Sequence, residues 1–466
     1  MRVEKDLLGE KSIAEDCYYG IHTLRAVENF SISGKRVHKN LIRAIALIKE
    51  SAAQVNMDLG YLEKEKAIAI IAASKEMAAG DLEQYIIVDA LQGGAGTSTN
   101  MNINEVIANR ALELAGRNKG SYDYIHPIEH VNLHQSTNDV YPSGLKIACL
   151  WTLEELSKAC ENLQDSLQKK EQEFAQMIKM GRTQLQDAVP ITLGQEFSAY
   201  AQAIARDRWR IYKCQERLKQ INLGGTAIGT GITAPLKYVF AVVEKLRSLA
   251  KVNIGRSENM IDATQNVDAF VEISGLVKTL AVNLNKIAND LRLLSSGPSA
   301  GFRDIELPSC QAGSSIMPGK VNPVIAEATN QACFHVMAGD LAISLGAQNG
   351  QLELNAFLPL IAHHILENIE LMTKTVTMLD KRCIQGILPN EERMRYVVYH
   401  SPALITALVP YVGYRKATEL AVEMSKTGVS IETILKKYNL MNTQQIEEFL
   451  DPYQLTKPYK DKKRES

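Results

Sequence analysis

Apolar residues recur at intervals of three and four positions over most of the chain, a spacing that is typical of amphipathic helices. The longest such stretch lies between Gly144 and Gly181 and contains no glycine or proline. At about 1.5 Å of rise per residue, it predicts a helix on the order of 50 Å long. Four more stretches predict long helices, at 190–220, 261–294, 323–345 and 352–382. Because a long helix needs neighbours along its whole length, these stretches predict a helical bundle.

The pattern is different at the two ends of the chain. Residues 1–40 show no sustained period and predict an irregular N-terminal cap, whereas 41–79 predict two helices. After Pro389 the apolar stretches shorten, with one helix predicted at 411–426 and a charged tail at 457–466. These differences predict three domains: an N-terminal helical domain at 1–138, a central long-helix bundle at 139–389 and a small C-terminal helical domain at 390–466.

Four polar segments interrupt this helical pattern and are the candidate site segments. They contain glycine, hydroxyl and carboxamide residues, and they lie at 96–104, 135–138, 181–187 and 313–323. The last belongs to an interval, 295–323, that holds four glycines and four prolines, which predicts a long loop. Long loops inside compact proteins are commonly functional, and glycines let backbone N–H groups approach an anion closely. These segments are therefore where we expect the chemistry.

The charge balance disfavours one class of partner. The 466 residues carry 52 basic and 53 acidic side chains, for a formal net charge of -1, which disfavours nucleic acid. Residues 1–10 lack the apolar core of a signal peptide, and no apolar run of about 18 residues occurs. We therefore expect a cytoplasmic protein with no membrane partner. The seven cysteines are widely spaced without a C-x-x-C pair, which predicts reduced thiols.

Two further motifs suggest other chemistry. Three histidines lie four residues apart, His126, His130 and His134, and on a helix they would share one face, as zinc ligands do. Pro127 and the lack of a carboxylate or thiolate to complete the set argue against zinc, so no metal ligand is assigned. The glycine-rich residues 92–102 resemble a phosphate loop only loosely, because they lack its closing Gly-Lys-Ser/Thr and a preceding strand.

The loop segment from Gly313 to Asn322 reads GSSIMPGKVN and fits the pattern G-S-S-x-M-P-x-K-x-N. Together with the other three polar segments, it resembles the aspartase/fumarase superfamily, and the resemblance extends over nearly the whole chain. It implies an all-α fold of three domains, in which the central domains of four subunits form one helical bundle. It also implies a homotetramer in which three subunits build each active site.

The resemblance implies a role for each matched residue. Ser314 corresponds to the catalytic base, which removes a proton from C3 of the substrate and leaves an enediolate-like (aci-carboxylate) intermediate. Neutral donors would bind the carboxylate next to C3, namely Thr97, Ser136, Thr137 and Ser315. The second carboxylate would be held by Asn138, Lys320 and Asn322. The leaving amine would face Thr183 and Gln184 together with Asn138.

Gln184 separates two reactions of the superfamily. Fumarases carry histidine at this position, as do some aspartases, whereas other aspartases carry glutamine. The departure of hydroxide from malate benefits from a group that can give up a proton, and glutamine cannot do so near neutral pH. An ammonium group leaves as neutral ammonia without that help. The expected reaction is therefore the reversible deamination of L-aspartate to fumarate and ammonia, and the alternative is hydration by a class II fumarate hydratase.

No cofactor is expected for this reaction, and a divalent metal such as Mg²⁺ would act only as an activator. Two other interpretations have less support. A lyase with a succinyl-type leaving group would need a bulkier site, for which the segments give no sign. A non-catalytic structural protein would not need Ser314 and Lys320, and both are present.

Overall fold

The computed structural model describes residues 1–458, and the prediction of a mostly helical chain is confirmed. The helices are α1 Ile21–Asn29, α2 Lys39–Asp58, α3 Lys64–Ala79, α4 Thr97–Leu114, α5 Thr137–Glu173, α6 Leu193–Cys214, α7 Leu236–Ala250, α8 Met260–Gln265, α9 Asp268–Leu294, α10 Val324–Gln348, α11 Leu358–Arg382, α12 Glu391–His400, α13 Val409–Val412, α14 Tyr414–Thr427, α15 Ile431–Lys437, α16 Thr443–Phe449 and α17 Pro452–Leu455. Within the same described residues, none of these helices has both the length and the apolar character needed to cross a membrane.

The strands are short and pair two by two. They are β1 Arg2–Asp6, β2 Gly9–Ile13, β3 Ile178–Thr183, β4 Gln186–Thr192, β5 Gln220–Ile221, β6 Gly255–Arg256, β7 Ile305–Glu306 and β8 Leu388–Pro389. Consecutive strands form two-stranded sheets, of which the β5–β6 pair is parallel and the others are antiparallel. The longest of them, the β3–β4 hairpin, lies where the sequence predicts only a polar break at 181–187.

The chain forms two compact units. Unit 1 consists of Met1–Lys158, Trp209–Ala281 and Cys333–Thr373, and unit 2 consists of Ala159–Arg208, Val282–Ala332 and, within the described chain, residues 374–458. The division into three consecutive domains stays a prediction. The charged tail predicted at 457–466 lies mostly outside the described residues, at 459–466.

Helix α5 confirms the longest predicted helix but begins earlier, at Thr137, and ends earlier, at Glu173, because β3 begins at Ile178. It includes Pro142, whose ring nitrogen has no hydrogen to donate to the carbonyl of Asn138. The side chain of Asn222 supplies that bond instead, because its Nδ2 donates to Asn138 O at 3.0 Å. A proline therefore fits inside this helix. The sequence pattern placed the start of α5 too late, because Asn222, which allows Pro142 inside the helix, lies far away along the chain.

The other long helices differ from the predictions at breaks that the apolar pattern does not show. The stretch at 261–294 forms two helices, α8 and α9, because Asn266 adopts an extended conformation between them. The stretch at 352–382 becomes helical only at Leu358. The N-terminal cap at 1–40 is less irregular than predicted, since β1, β2 and α1 lie there. The remaining predicted stretches correspond to α2, α3, α6, α10 and α14.

In unit 1, a buried carboxylate fixes helix α4 to the start of α1. Glu105 is 2% exposed, and it accepts hydrogen bonds from the backbone N–H groups of Gly20, His22 and Thr23 and from the Thr23 hydroxyl. The first N–H groups of a helix lack partners within it, so Glu105 caps α1 from outside. Burial raises the pKa of this carboxyl to about 7. The cap holds in place the helix that begins with Thr97.

In unit 2, the base of the β3–β4 hairpin packs on the C-terminal helices. Ile178 and Met180 of β3 belong to one buried apolar cluster with side chains from α12, α14, α15 and α16. A polar link is added by Ser401, whose hydroxyl donates to Asp187 Oδ2 at 2.7 Å. The hairpin therefore has a packed base, and its tip at Gln184 and Leu185 is exposed.

Candidate active site

Two of the four polar segments form helix N-termini in unit 1. Helix α4 begins at Thr97, after Gly96 in a left-handed conformation with φ of 95°, and α5 begins at Thr137. Ser136 precedes α5, and its hydroxyl accepts a hydrogen bond from the N–H of Asn138 at 3.2 Å. Helix N-termini present unpaired N–H groups and a partial positive charge, so they favour a bound carboxylate.

The two N-termini are held against each other. Asn100, in the first turn of α4, donates from Nδ2 to Thr137 Oγ1 at 3.1 Å and to Asn132 Oδ1 at 3.2 Å. A β-carbon at Gly96 would lie 2.2 Å from the ring of Tyr141, which belongs to the first turns of α5. The structure therefore brings the start of α4, with Thr97, next to the start of α5.

A buried carboxylate supports the start of α5 from behind. Asp139 is 0% exposed, and its Oδ2 accepts the N–H groups of Gly224 and Thr226, each at 3.0 Å. Its Oδ1 accepts the N–H of Ser136 at 2.9 Å. Burial raises the pKa of Asp139 to about 6, although these backbone donors oppose the rise. Asp139 thus fixes Ser136 and the 224–226 turn to one another.

A buried lysine completes this support, and the sequence analysis missed both residues. Lys49 of α2 is 0% exposed, and its Nζ donates to Asn132 Oδ1 at 2.8 Å and to Gln135 Oε1 at 3.0 Å. Burial lowers the pKa of Lys49 to about 7, and the nearby charge of Asp139 opposes that fall. The signal in the sequence is a lysine inside an apolar helical run. A lysine at the edge of the apolar face gives the same signal as a buried lysine, so this signal does not distinguish the two.

We expect Lys49→Met to change how stability depends on pH. The unfolded chain keeps the Lys49 proton up to the ordinary pKa of 10.5, whereas the folded chain releases it near 7. Between these values folding releases a proton, so the free energy of unfolding rises with pH by up to about 1.4 kcal/mol per pH unit. The methionine variant lacks this contribution.

Thermal unfolding of both proteins between about pH 7 and 10 measures the difference in slope. Lys64→Met, which removes an exposed lysine at the start of α3, controls for the loss of one positive charge. Parallel profiles for Lys49→Met and the wild-type protein would contradict the prediction.

The third polar segment is the tip of the β3–β4 hairpin in unit 2. Thr183 pairs with Gln186, and the two residues between them, Gln184 and Leu185, have φ of 54° and 66°. Positive φ at both central residues is the geometry of a type I′ turn, which usually selects asparagine or glycine. Gln184 is therefore held in a conformation that glutamine rarely adopts, and its exposed side chain is available to a ligand.

The fourth segment is the glycine-rich part of the 295–323 loop, also in unit 2. The loop prediction is confirmed, since only β7 interrupts that interval. Ser314 Oγ accepts two backbone hydrogen bonds, from the N–H of Met317 at 2.9 Å and from the N–H of Ile316 at 3.3 Å. Donors aimed at an oxygen favour its charged form over its neutral one.

The ends of this segment are closed onto each other. Asn322 Nδ2 donates to the carbonyl of Gly313 at 2.8 Å. A β-carbon at Gly313 would lie 2.2 Å from the carbonyl oxygen of Lys320, so glycine is required for the closure. Ser315 and Lys320 are exposed. The segment thus presents a hydroxyl and an ammonium group to solvent on a closed turn.

The predicted site residues fall into two sets. Those of unit 1 are Thr97, Ser136, Thr137 and Asn138, and those of unit 2 are Thr183, Gln184, Ser314, Ser315, Lys320 and Asn322. The start of α5 is also tied to its surroundings by Asn138, whose Nδ2 donates to the carbonyl of Ala227 at 2.8 Å. The assignment of each residue to a step of the reaction stays a prediction.

The three histidines at 126, 130 and 134 serve local structure. His126 Nδ1 accepts the N–H groups of Ile128 and Glu129 and caps the short turn that follows, while His130 Nδ1 accepts the N–H of His126 at 2.8 Å. His134 Nδ1 lies 2.7 Å from Asn56 Oδ1. Within residues 1–458, no group of three or more His, Cys, Asp or Glu side chains is arranged to hold a metal ion.

The site segments of this mostly helical chain lie at helix N-termini, at a hairpin tip and on a serine–lysine loop. Residues 9–338 match the family described as Lyase, and residues 404–457 match the family described as Fumarase C C-terminus. The chain therefore belongs to the lyase family of the aspartase/fumarase superfamily.

Similar proteins agree with that membership. The aspartate ammonia-lyase of Bacillus sp is 48% identical over 458 residues, which cover 98% of each chain. A crystal structure of fumarate lyase:delta crystallin from Brucella melitensis bound to cobalt superposes with a TM-score of 0.95 at 46% identity, covering 98% of this chain and 100% of that one. The class II fumarase of Schistosoma mansoni gives a TM-score of 0.91 at 32% identity, covering 98% and 100%.

Proposed function

We propose that this protein is an aspartate ammonia-lyase, which converts L-aspartate reversibly to fumarate and ammonia. The observation that carries the proposal is the 48% identity to an aspartate ammonia-lyase over 98% of both chains, against 32% identity to a class II fumarase. Gln184 supports it independently, because a carboxamide cannot protonate a departing hydroxide but can hydrogen-bond an amine. Fumarate hydratase remains the alternative for the same fold.

In the proposed reaction, Ser314 acts as the base. Its alkoxide, favoured by the N–H groups of Ile316 and Met317, takes a proton from C3 of aspartate. The electron pair of the broken C–H bond moves into the adjacent carboxylate, which becomes an enediolate with two negative charges. The pair then forms the C2–C3 double bond as the C2–N bond breaks, and the ammonium group departs as neutral ammonia.

The neutral donors act on the charge that develops in this intermediate. Thr97, Ser136 and Thr137 lie at two adjacent helix N-termini, whose partial positive charge stabilises an enediolate more than a singly charged carboxylate. Ser315 would add one more hydroxyl donor. Lys320, Asn138 and Asn322 would bind the second carboxylate, which stays a single charge throughout. Thr183 and Gln184 would hold the amine until it leaves.

We propose further that the protein is a homotetramer whose active sites each take residues from three subunits. Helix α10 supports an assembly, because it exposes a row of large apolar side chains, Phe334, Leu341 and Leu345. These side chains are 56%, 61% and 47% exposed and lie at helical spacing, as in a face that another chain covers. The free cysteines, most of them buried, agree with a cytoplasmic enzyme.

The first experiment begins with the native mass of the purified protein, which tests the tetramer. It then follows the ultraviolet absorbance of fumarate after this protein is added to L-aspartate or to L-malate. We expect fumarate from aspartate and none from malate. Parallel reactions with EDTA and with added Mg²⁺ test the proposal that no cofactor is required and that the metal is only an activator. Fumarate from malate alone would replace this proposal with the hydratase.

A further inference from the structure

We infer that Arg182 is a positioning residue for the reaction: its ion pair with Asp304 fixes the hairpin tip that bears Thr183 and Gln184 to the base of the loop that bears Ser314. All of these residues belong to unit 2. The roles of Gln184 and Ser314 in this inference rest on the proposed function. The link itself rests on contacts within the folded chain.

The ion pair has the geometry of a rigid link. Arg182 Nη1 lies 2.6 Å from Asp304 Oδ2, and Nη2 lies 3.4 Å from Oδ1, so both arms of the guanidinium reach one carboxylate. The guanidinium also stacks over the ring of Phe302, at 4.0 Å from its centroid. The side chains of Arg182 and Asp304 are only 12% and 2% exposed. A buried, two-armed pair fixes orientation as well as distance.

Asp304 is itself anchored on both sides of the loop. Its N–H donates to the carbonyl of Leu294, the last residue of α9, at 2.9 Å. Its carbonyl accepts the N–H of Asn390, just before α12, at 2.9 Å. The following residue, Ile305, is fully buried and pairs with Pro389 of β8. The base of the 295–323 loop is therefore a fixed point, to which Arg182 ties the hairpin.

The position of Arg182 on the hairpin explains what the link controls. Successive side chains of a strand point to opposite faces, so the strand directs Thr183 away from the face on which Arg182 meets Asp304. In the register of the hairpin, Arg182 lies opposite Asp187, whose carboxylate accepts a hydrogen bond from the hydroxyl of Ser401. Both strands are thus held close to the turn that contains Gln184, β3 before it and β4 after it.

Lys179 makes this link testable, because it keeps Asp304 paired when Arg182 is changed. Lys179 is 2% exposed, lies 3.4 Å from Asp304 Oδ2 and contacts Glu196 at 2.6 Å. The charges in this cluster balance, because it contains two cations, Arg182 and Lys179, and two carboxylates, those of Asp304 and Glu196. An ammonium at position 182 would preserve the charge but lack the two-armed geometry and the stacking on Phe302. The Arg182→Lys variant should therefore fold, but its hairpin tip should no longer be held in a fixed orientation.

We expect Arg182→Lys to lower kcat for aspartate by about 10- to 100-fold, with a smaller change in KM, because misplacement by about 1 Å is enough for such a loss. Arg303→Lys is the matched control. Arg303 lies in the same loop, is 45% exposed and pairs with Glu306 at 3.0 Å on the surface. Its lysine variant should retain wild-type kcat and KM.

A double-mutant cycle with Gln184→Ala separates positioning from general destabilisation. If Arg182 acts through the hairpin tip, its substitution should cost much less kcat in the Gln184→Ala background than in the wild-type background. Equal costs in the two backgrounds, or wild-type kinetics for Arg182→Lys, would overturn the inference.

Hydrogen–deuterium exchange provides a measurement that does not depend on the substrate. Peptides that cover 183–186 and 302–306 should exchange faster in Arg182→Lys than in Arg303→Lys. Exchange equal to the control would reject the link, even if activity is lost. If the wild-type protein makes no fumarate from aspartate, the proposed function fails, while this exchange experiment still decides whether Arg182 holds the two segments.

Discussion

Ser314→Ala should lower kcat for the deamination of L-aspartate by about 10²- to 10⁴-fold, the usual loss when a proton-transfer group is removed. The alanine leaves C3 of the substrate without a base, while the donors that bind the carboxylates remain. KM should therefore change little. The N–H groups of Ile316 and Met317 lose their acceptor but face solvent, so the fold should persist. Fumarate absorbance under saturating aspartate measures the effect.

Ser299→Ala is the control for this prediction. Ser299 lies in the same loop and is exposed, so its alanine variant should keep wild-type activity. Unchanged circular dichroism and thermal midpoint in both variants would show that Ser314→Ala acts on the chemistry alone. A folded Ser314→Ala variant that retains even a tenth of wild-type kcat would remove Ser314 from the role of base.

Gly96→Ala should cost about 2–5 kcal/mol of stability, in two parts. A left-handed conformation costs a residue with a β-carbon about 1–2 kcal/mol, and Gly96 has φ of 95°. Overpacking of a filled region costs about 1–3 kcal/mol more, because the β-carbon would meet the ring of the buried Tyr141 at 2.2 Å. Relief of this clash would move the start of α4, with Thr97, away from α5. Activity should fall along with the thermal midpoint.

Gly116→Ala separates the two parts of that cost. Gly116 has φ of 69°, but a β-carbon there would meet no atom within 4 Å. It therefore carries only the conformational penalty and should keep wild-type kcat. Thermal unfolding and the fumarate assay on both variants make the comparison. Equal losses in the two variants would mean that the contact with Tyr141 does not hold the two N-termini together.

The site segments could be predicted because their signals are local in the chain. The 295–323 loop follows from its glycines and prolines, and the serine–lysine segment was recognised from its own residues. The hairpin at 178–192 shows the limit of this approach. Its tip was found as a polar break, but its strands pair through an irregular register near Gly181 that no short-range pattern indicates.

The sequence by itself determined the helical class, the long helices and the candidate chemistry, because periodicity and chain-breaking residues act over a few neighbouring positions. The tertiary structure decided which residues support that chemistry. Asn222 replaces the hydrogen bond that Pro142 cannot make, Lys49 bonds to Gln135 beside the start of α5, Asp139 accepts the N–H of Gly224, and Arg182 meets Asp304. Each of these contacts joins residues far apart in the chain, and their energies depend on burial, which only the folded structure provides.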